Sequence, residues 1–137
     1  MIYLEEKGNL FNANKKYYLC HCIASDARMG AGIAVQFIKN YPYVKSLRKT
    51  INDVGTCIKI KRVLNLITKK VSHGKPTYQI LERSLIDCKN ICVKENIKFL
   101  AMPKIGCGLD GLQWENVKEI IKTTFNDTDI EIKVYKL

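Results

Sequence analysis

Acidic residues almost vanish from the middle of this chain, long apolar runs are missing throughout, and proline and tryptophan are few. Each shortage excludes something. No apolar run approaches the ~20 residues that span a bilayer, so a helical membrane protein is not expected. The opening Met1-Ile2-Tyr3-Leu4-Glu5-Glu6 carries acid where a signal peptide carries base, and no apolar stretch follows it. The expectation is a soluble chain of the cytoplasm, or of the nucleus in a eukaryote. No Pro/Gly/Ser linker, internal repeat or low-complexity tract interrupts the sequence. Residues 1–137 therefore read as one domain, and a chain of that length buries roughly two thirds of its unfolded surface.

Six cysteines are present: Cys20, Cys22, Cys57, Cys88, Cys92 and Cys107. With no signal sequence and 47% apolar residues, they read as reduced thiols acting as small hydrophobes rather than as a disulfide framework. Cys20-His21-Cys22 invites a metal reading. On a strand, however, His21 faces away from the two thiols, and no second Cys/His pair completes a ligand set. A buried strand is the better reading, and neither metal nor cofactor is expected.

The net charge of +10 is uneven. Residues 39–75 hold ten lysines and arginines against Asp53 alone, a local +9. That concentration suggests a positive face able to attract polyanions, although lysines are also ordinary solvated surface residues.

Strand-like and helix-like runs alternate. Residues 2–6, 17–23, 56–60, 63–68, 97–102 and 130–135 read as strands, with a tight turn at Lys61-Arg62. Residues 32–40 read as a helix carrying Ala31, Ala34, Ile38 and Tyr41 on one stripe, and 44–51 as a short helix. Residues 77–94 form the clearest helix, with Leu81, Leu85, Cys88 and Cys92 in register and Thr77 as N-cap. A further helix covers 113–125, with Trp114, Val117, Ile121 and Phe125 inward. The fold class is α/β, with helices on both faces of a mixed sheet.

Two segments share one grammar of strand, glycine loop and helix. The first loop is residues 24–32, containing Gly30-Ala31-Gly32. The second is residues 103–111, containing Gly106-Cys107-Gly108. Ligands of open α/β sheets collect at the carboxyl ends of strands, where loops enter helix N-termini. Two such loops could grip the two halves of a diphosphate, though each alone also suits a structural turn. Neither matches the dinucleotide or P-loop fingerprint.

At these loops the chain resembles the macrodomain superfamily, in its branch of terminal ADP-ribose protein glycohydrolases that also deacylate O-acetyl-ADP-ribose. The likeness rests on Lys7-Gly8-Asn9-Leu10-Phe11, on His21-Cys22-Ile23 with Arg28-Met29-Gly30-Ala31-Gly32-Ile33-Ala34, and on Leu66-Ile67-Thr68-Lys69-Lys70. Lys75-Pro76-Thr77-Tyr78 adds to it, as does Met102-Pro103-Lys104-Ile105-Gly106-Cys107-Gly108-Leu109-Asp110 running into Leu112-Gln113-Trp114-Glu115. The resemblance implies a three-layer α/β/α sandwich with ADP-ribose across the strand ends. Asn9 and Leu10 would hold the adenine. Met29, Gly30 and Gly32, with Ile105, Gly106, Cys107, Gly108 and Leu109, would enclose the diphosphate and distal ribose. Lys69 would attack the anomeric carbon to form a lysyl–ADP-ribose adduct, and Asp110 would exchange protons and help release it.

Ser25 is a further candidate ligand contact, and Asp26 beside it suits either contact or turn. Trp114 reads as core and His73 as an exposed loop residue. Macrodomains often have Asp where this chain has Asn9, whose amide oxygen accepts without charge. The implied function is an ADP-ribosyl hydrolase, acting as a monomer on an acidic side chain, an O-acetyl ester or a DNA base. The alternative is a module that reads ADP-ribose without turnover. A third reading, a basic nucleic-acid-binding domain, rests on charge alone. ADP-ribosylated DNA is an expected partner, because Lys59, Lys61 and Arg62 would draw a polyanion to the rim beside Lys69.

Overall fold

The computed structural model describes residues 1–136; Leu137, the last residue of the expected domain, lies outside them. Six strands form one sheet: β1 (Ile2–Lys7), β2 (Tyr18–Ala24), β3 (Cys57–Ile60), β4 (Val63–Lys69), β5 (Phe99–Met102) and β6 (Glu131–Lys136). Their spatial order is β1-β6-β5-β2-β4-β3. Every neighbouring pair is parallel except β3 with β4.

Three helices, α1 (Ile33–Asn40), α2 (Tyr78–Lys94) and α3 (Trp114–Phe125), join two 3-10 segments, Leu10–Asn12 and Pro42–Lys49. The strands β2, β4 and β5 are apolar on both faces, as a covered parallel sheet requires. One face packs Cys20, Leu64, Leu66 and Leu100 against Leu81, Leu85 and Cys88 of α2 and Val117 and Ile121 of α3. The other packs Leu19, Val63 and Ile67 against Phe37 of α1 and Val44 and Leu47 of the longer 3-10 segment. The result is a three-layer α/β/α sandwich with a separate apolar core on each side of the sheet.

His21 alternates away from the thiols of Cys20 and Cys22, as expected. It stacks on Phe37 at 3.8 Å between ring centroids and shares a 2.7 Å hydrogen bond with Asn65. Burial holds its pKa down at about 4, so the ring is neutral. No disulfide is present among the described residues.

Several boundaries and one face differ from expectation. Thr77 is the N-cap of α2, its hydroxyl accepting from the Ile80 N–H. On α1 the fully buried residue is Phe37, whereas Ala31 is exposed and Ala34, Ile38 and Tyr41 are only half-buried. The stripe was misjudged because the aromatic ring, reaching under the sheet to His21, sets the inward face. The segment expected as a helix at 44–51 is a 3-10 run whose buried residues, Val44 and Leu47, are three apart, matching three residues per turn. β5 begins at Phe99 rather than 97. The Ile97 N–H still closes on the Cys92 carbonyl at 2.8 Å, and Asn96 takes a positive φ of 58° to end α2.

Candidate active site

β2 and β5 are neighbours in the sheet, yet the helices that follow them lie on opposite faces. Their loops, residues 24–32 and 103–111, therefore diverge and leave a crevice between them, the usual ligand position in an open α/β sheet. The crevice is a cleft of about 970 Å³ across the carboxyl ends of the parallel strands.

Lys69 reaches it through a local irregularity. The β2–β4 register steps from Ile23↔Ile67 to Ala24↔Lys69. Thr68 is the additional residue on β4. Such a bulge re-aims the side chain that follows it. Lys69 Nζ lies 2.6 Å from Asp110 Oδ1, and each side chain is 14% exposed. The pair stands between the end of β4 and the second glycine loop, on the cleft wall.

The loops are braced rather than free. The Ser25 N–H donates to the Lys69 carbonyl at 2.9 Å. Arg48 donates to the carbonyls of Ala27 and Arg28. Burial opposes ionisation of Asp26, but donation from the Ser72 hydroxyl and N–H and from the Arg28 N–H outweighs it and holds the carboxyl below its usual range. Across the cleft, Lys75 Nζ donates to the Leu109 carbonyl at 2.5 Å. The segment from Ser72 to Lys75 thus clasps both glycine loops.

Gly32 and Gly106 have positive φ of 65° and 72°, a backbone that glycine adopts without steric cost. Gly30 and Gly108 differ: neither has a positive φ, and a Cβ at either would meet nothing within 4 Å. Leu109 is 68% exposed and arches toward Gly32, where an added Cβ would lie 3.5 Å from its Cδ1.

Asn9, Leu10, Met29, Gly30, Gly32, Ile105, Gly106, Cys107, Gly108 and Leu109 all line the cleft with Lys69 and Asp110. Ser25 is not among the lining residues; its carbonyl accepts from Asn52 and its N–H anchors the loop. Asn9 Oδ1 already accepts from the Phe11 N–H at 2.9 Å, which orients the amide at the cleft edge. The sequence reading missed Phe11, Cys22, Ser72, Lys75 and Tyr135 as lining residues. Phe11, Cys22 and Lys75 fall inside stretches that carry the family likeness, whereas Ser72 and Tyr135 had no such signal. Burial, then the Asp110 charge, pushes the Cys22 thiol up to about 12, so it lies in the cleft as a neutral wall. His73 is exposed and Trp114 is half-buried in the α3 core.

The turn at Lys61-Arg62 is not at the rim. It precedes β4, whose far end carries Lys69, and seven residues of strand set the two roughly 20 Å apart. Arg62 is a clamp that donates to the carbonyls of Ala13, Asn14 and Tyr17 and to the Tyr41 hydroxyl. Lys59 pairs with Glu95 at 2.8 Å. The basic segment therefore does not gather beside the nucleophile as expected, because β4 carries its charges to both ends of the sheet.

Among the described residues, no helix is long and apolar enough to cross a membrane, and no three His, Cys, Asp or Glu side chains gather as potential metal ligands.

Comparisons with known proteins agree with this geometry. The Macro domain family model matches residues 20–121. The ADP-ribose glycohydrolase OARD1 of Homo sapiens is 47% identical over 135 residues, covering 96% of this chain and 89% of its own. The DNA ADP-ribosyl glycohydrolase of Mycobacterium tuberculosis is 31% identical over 121 residues, covering 78% of this chain and 34% of its own. Among solved structures, the macrodomain of Mycobacterium tuberculosis DarG superposes with a TM-score of 0.92 at 24% identity, covering 99% of this chain and 98% of that one. With a matched family model across most of its length, and two glycine loops opening a cleft on a six-stranded mixed sheet, this chain belongs to the macrodomain family.

Proposed function

We propose that the chain is an ADP-ribosyl hydrolase that removes ADP-ribose from an acceptor, with Lys69 as nucleophile and Asp110 as its proton partner. The observation that carries this reading is the 2.6 Å Lys69–Asp110 pair on the wall of a cleft of about 970 Å³ between two glycine loops. The names of the human and mycobacterial relatives point to the same reaction class.

In this reading the adenine lies near Asn9, Leu10 and Phe11, and the diphosphate between the N–H groups of the two loops. The distal ribose then meets Lys69. An ammonium has no lone pair, so Nζ must first yield a proton, and the Asp110 carboxylate is the acceptor within reach. The Nζ lone pair forms a bond to the anomeric carbon while the bond from that carbon to the acceptor breaks. The acceptor departs with the bonding pair, as a carboxylate if it was an acidic side chain. Water then adds to the anomeric carbon and gives a proton to solvent, Nζ leaves with the C–N bonding pair, and it takes back the proton held by Asp110, which restores the pair. Acidic side chain, O-acetyl ester and DNA base remain the three acceptor classes this chemistry suits. Residues 1–137 act as one domain and as a monomer.

Lys69→Ala tests the mechanism. ADP-ribose affinity by calorimetry should stay within a few-fold of wild type while multiple-turnover release of ADP-ribose from a modified peptide or oligonucleotide disappears. Sustained turnover in that variant would overturn the nucleophile assignment and favour binding without turnover.

A further inference from the structure

At the ends of the strands opposite Lys69, cations and aromatic rings intermix along one path. Lys61 Nζ lies 5.0 Å above the Tyr43 ring, and Tyr43 is 5.8 Å from Tyr41. The Tyr41 hydroxyl accepts from Arg62 at 2.9 Å, and Arg62 reaches the Asn14 carbonyl at 3.0 Å. Asn14 Oδ1 caps the Lys16 N–H at 2.9 Å, and Lys16 Nζ lies 4.3 Å above the Phe99 ring.

Lys16 and Lys61 are exposed, and neither pairs with a carboxylate among the described residues. Of the acids on this side, Glu95 pairs with Lys59, and Glu131 accepts from the neutral Tyr17 hydroxyl and keeps its charge. A ring face that a solvated ammonium can cover from outside is one that a nucleobase can also reach.

We infer that this far face is a docking surface for single-stranded nucleic acid, separate from the cleft. Sequence-tolerant single-strand binding combines a basic track along the backbone with aromatic faces on which unpaired bases stack. Both are present in one row. A duplex keeps its bases stacked on each other and would use only the charge. The roughly 20 Å length of β4 lies between the Lys61 end of this row and Lys69, and the row approaches the cleft at Tyr41, 6.3 Å from the Phe11 ring.

The test is fluorescence anisotropy with labelled oligouridine, at saturating and at zero ADP-ribose. Binding should be equal in both, and affinity should fall by about tenfold or more between about 50 and 200 mM salt, as a few phosphate contacts require. Lys16→Glu combined with Lys61→Glu should weaken it by about tenfold or more. Tyr43→Ala should weaken it by about 5- to 150-fold, the range for one stacked base. All variants should keep wild-type ADP-ribose affinity, which certifies their fold and leaves the cleft reading untouched. Three results would each overturn the inference: no binding at about 50 mM salt, displacement of the RNA by ADP-ribose, or equal binding of a heparin fragment with no loss in Tyr43→Ala. The last would reduce the face to a general polyanion attractor.

Discussion

Valine placed at Gly106 and at Gly108 should give opposite phenotypes, although the two glycines are two residues apart in one loop. At Gly106 the backbone φ is +72°, and an added Cβ would stand 3.0 Å from Leu112 Cδ1. The left-handed conformation costs an L-residue roughly 1–2 kcal/mol, and displacing a packed leucine methyl adds about 1 kcal/mol. At about 4 °C per kcal/mol for a chain of this size, Gly106→Val should melt roughly 8–12 °C below wild type. At Gly108 the backbone is unstrained and a Cβ meets open space. That variant should stay within about 0.5 kcal/mol of wild type, or about 2 °C. Its cost falls on the ligand instead. A branched side chain in the cleft would keep the diphosphate from the loop N–H groups, and a hydrogen bond to a charged group is worth about 1.5–3 kcal/mol. Gly108→Val should therefore lose roughly 10- to 150-fold in ADP-ribose affinity. Calorimetry beside thermal melts separates the cases. Wild-type affinity in Gly108→Val at an unchanged melting temperature would refute the idea that this loop closes on a diphosphate. An unshifted melt in Gly106→Val would refute the backbone argument.

Other outcomes follow from the same site. Asp110→Ala should accumulate protein heavier by one ADP-ribose unit after incubation with substrate, read by intact-mass spectrometry; full activity would remove Asp110 from the reaction. Lys75→Met should lower kcat by about two- to fivefold, the scale of an exposed charged contact, because the Leu109 carbonyl it holds precedes Asp110; steady-state kinetics checks this, with ADP-ribose affinity nearly unchanged. His21 is fully buried with its pKa depressed to about 4, so its contribution to stability is complete above pH 6.5 and is lost as pH falls toward 4. Urea unfolding should show a loss on the order of 3 kcal/mol across that window from this group, and His21→Gln should flatten the profile there.

The layered architecture and the two strand–loop–helix units were legible because parallel strands covered on both faces read as apolar runs, and because glycine punctuates the loops. Thr77 was legible as a cap because capping is local chemistry. The meeting of Lys69 and Asp110 was not legible from spacing. They are forty-one residues apart, and only the family resemblance placed them together. The Thr68 bulge that re-aims Lys69 leaves no mark in a run of buried residues. The place of Ser25 was not legible because hydroxyl residues before a glycine loop serve ligand and backbone equally well; here Asn52 and Lys69 take its backbone groups. The basic segment misled for another reason. A chain segment containing a strand delivers its ends to opposite sides of the molecule, so charge close in sequence around Lys61 and Lys69 is far apart in space.

The position of β6 bears on how the molecule assembles. β1 hydrogen-bonds to the sheet only through β6, which follows every other element in the chain. Until β6 has been synthesised and seated, β1 has no partner and the flank of β5 is an open edge, exposing Leu100 and Met102 of the α2/α3 core to other chains. Closing that gap joins residues about 130 positions apart, such as Ile2 and Glu131, and contacts so distant in sequence slow folding. Nascent or truncated chains lacking β6 should therefore be held as aggregation-prone intermediates, and single-residue damage at Ile132 or Val134 should lower soluble yield more than its effect on the finished fold would suggest.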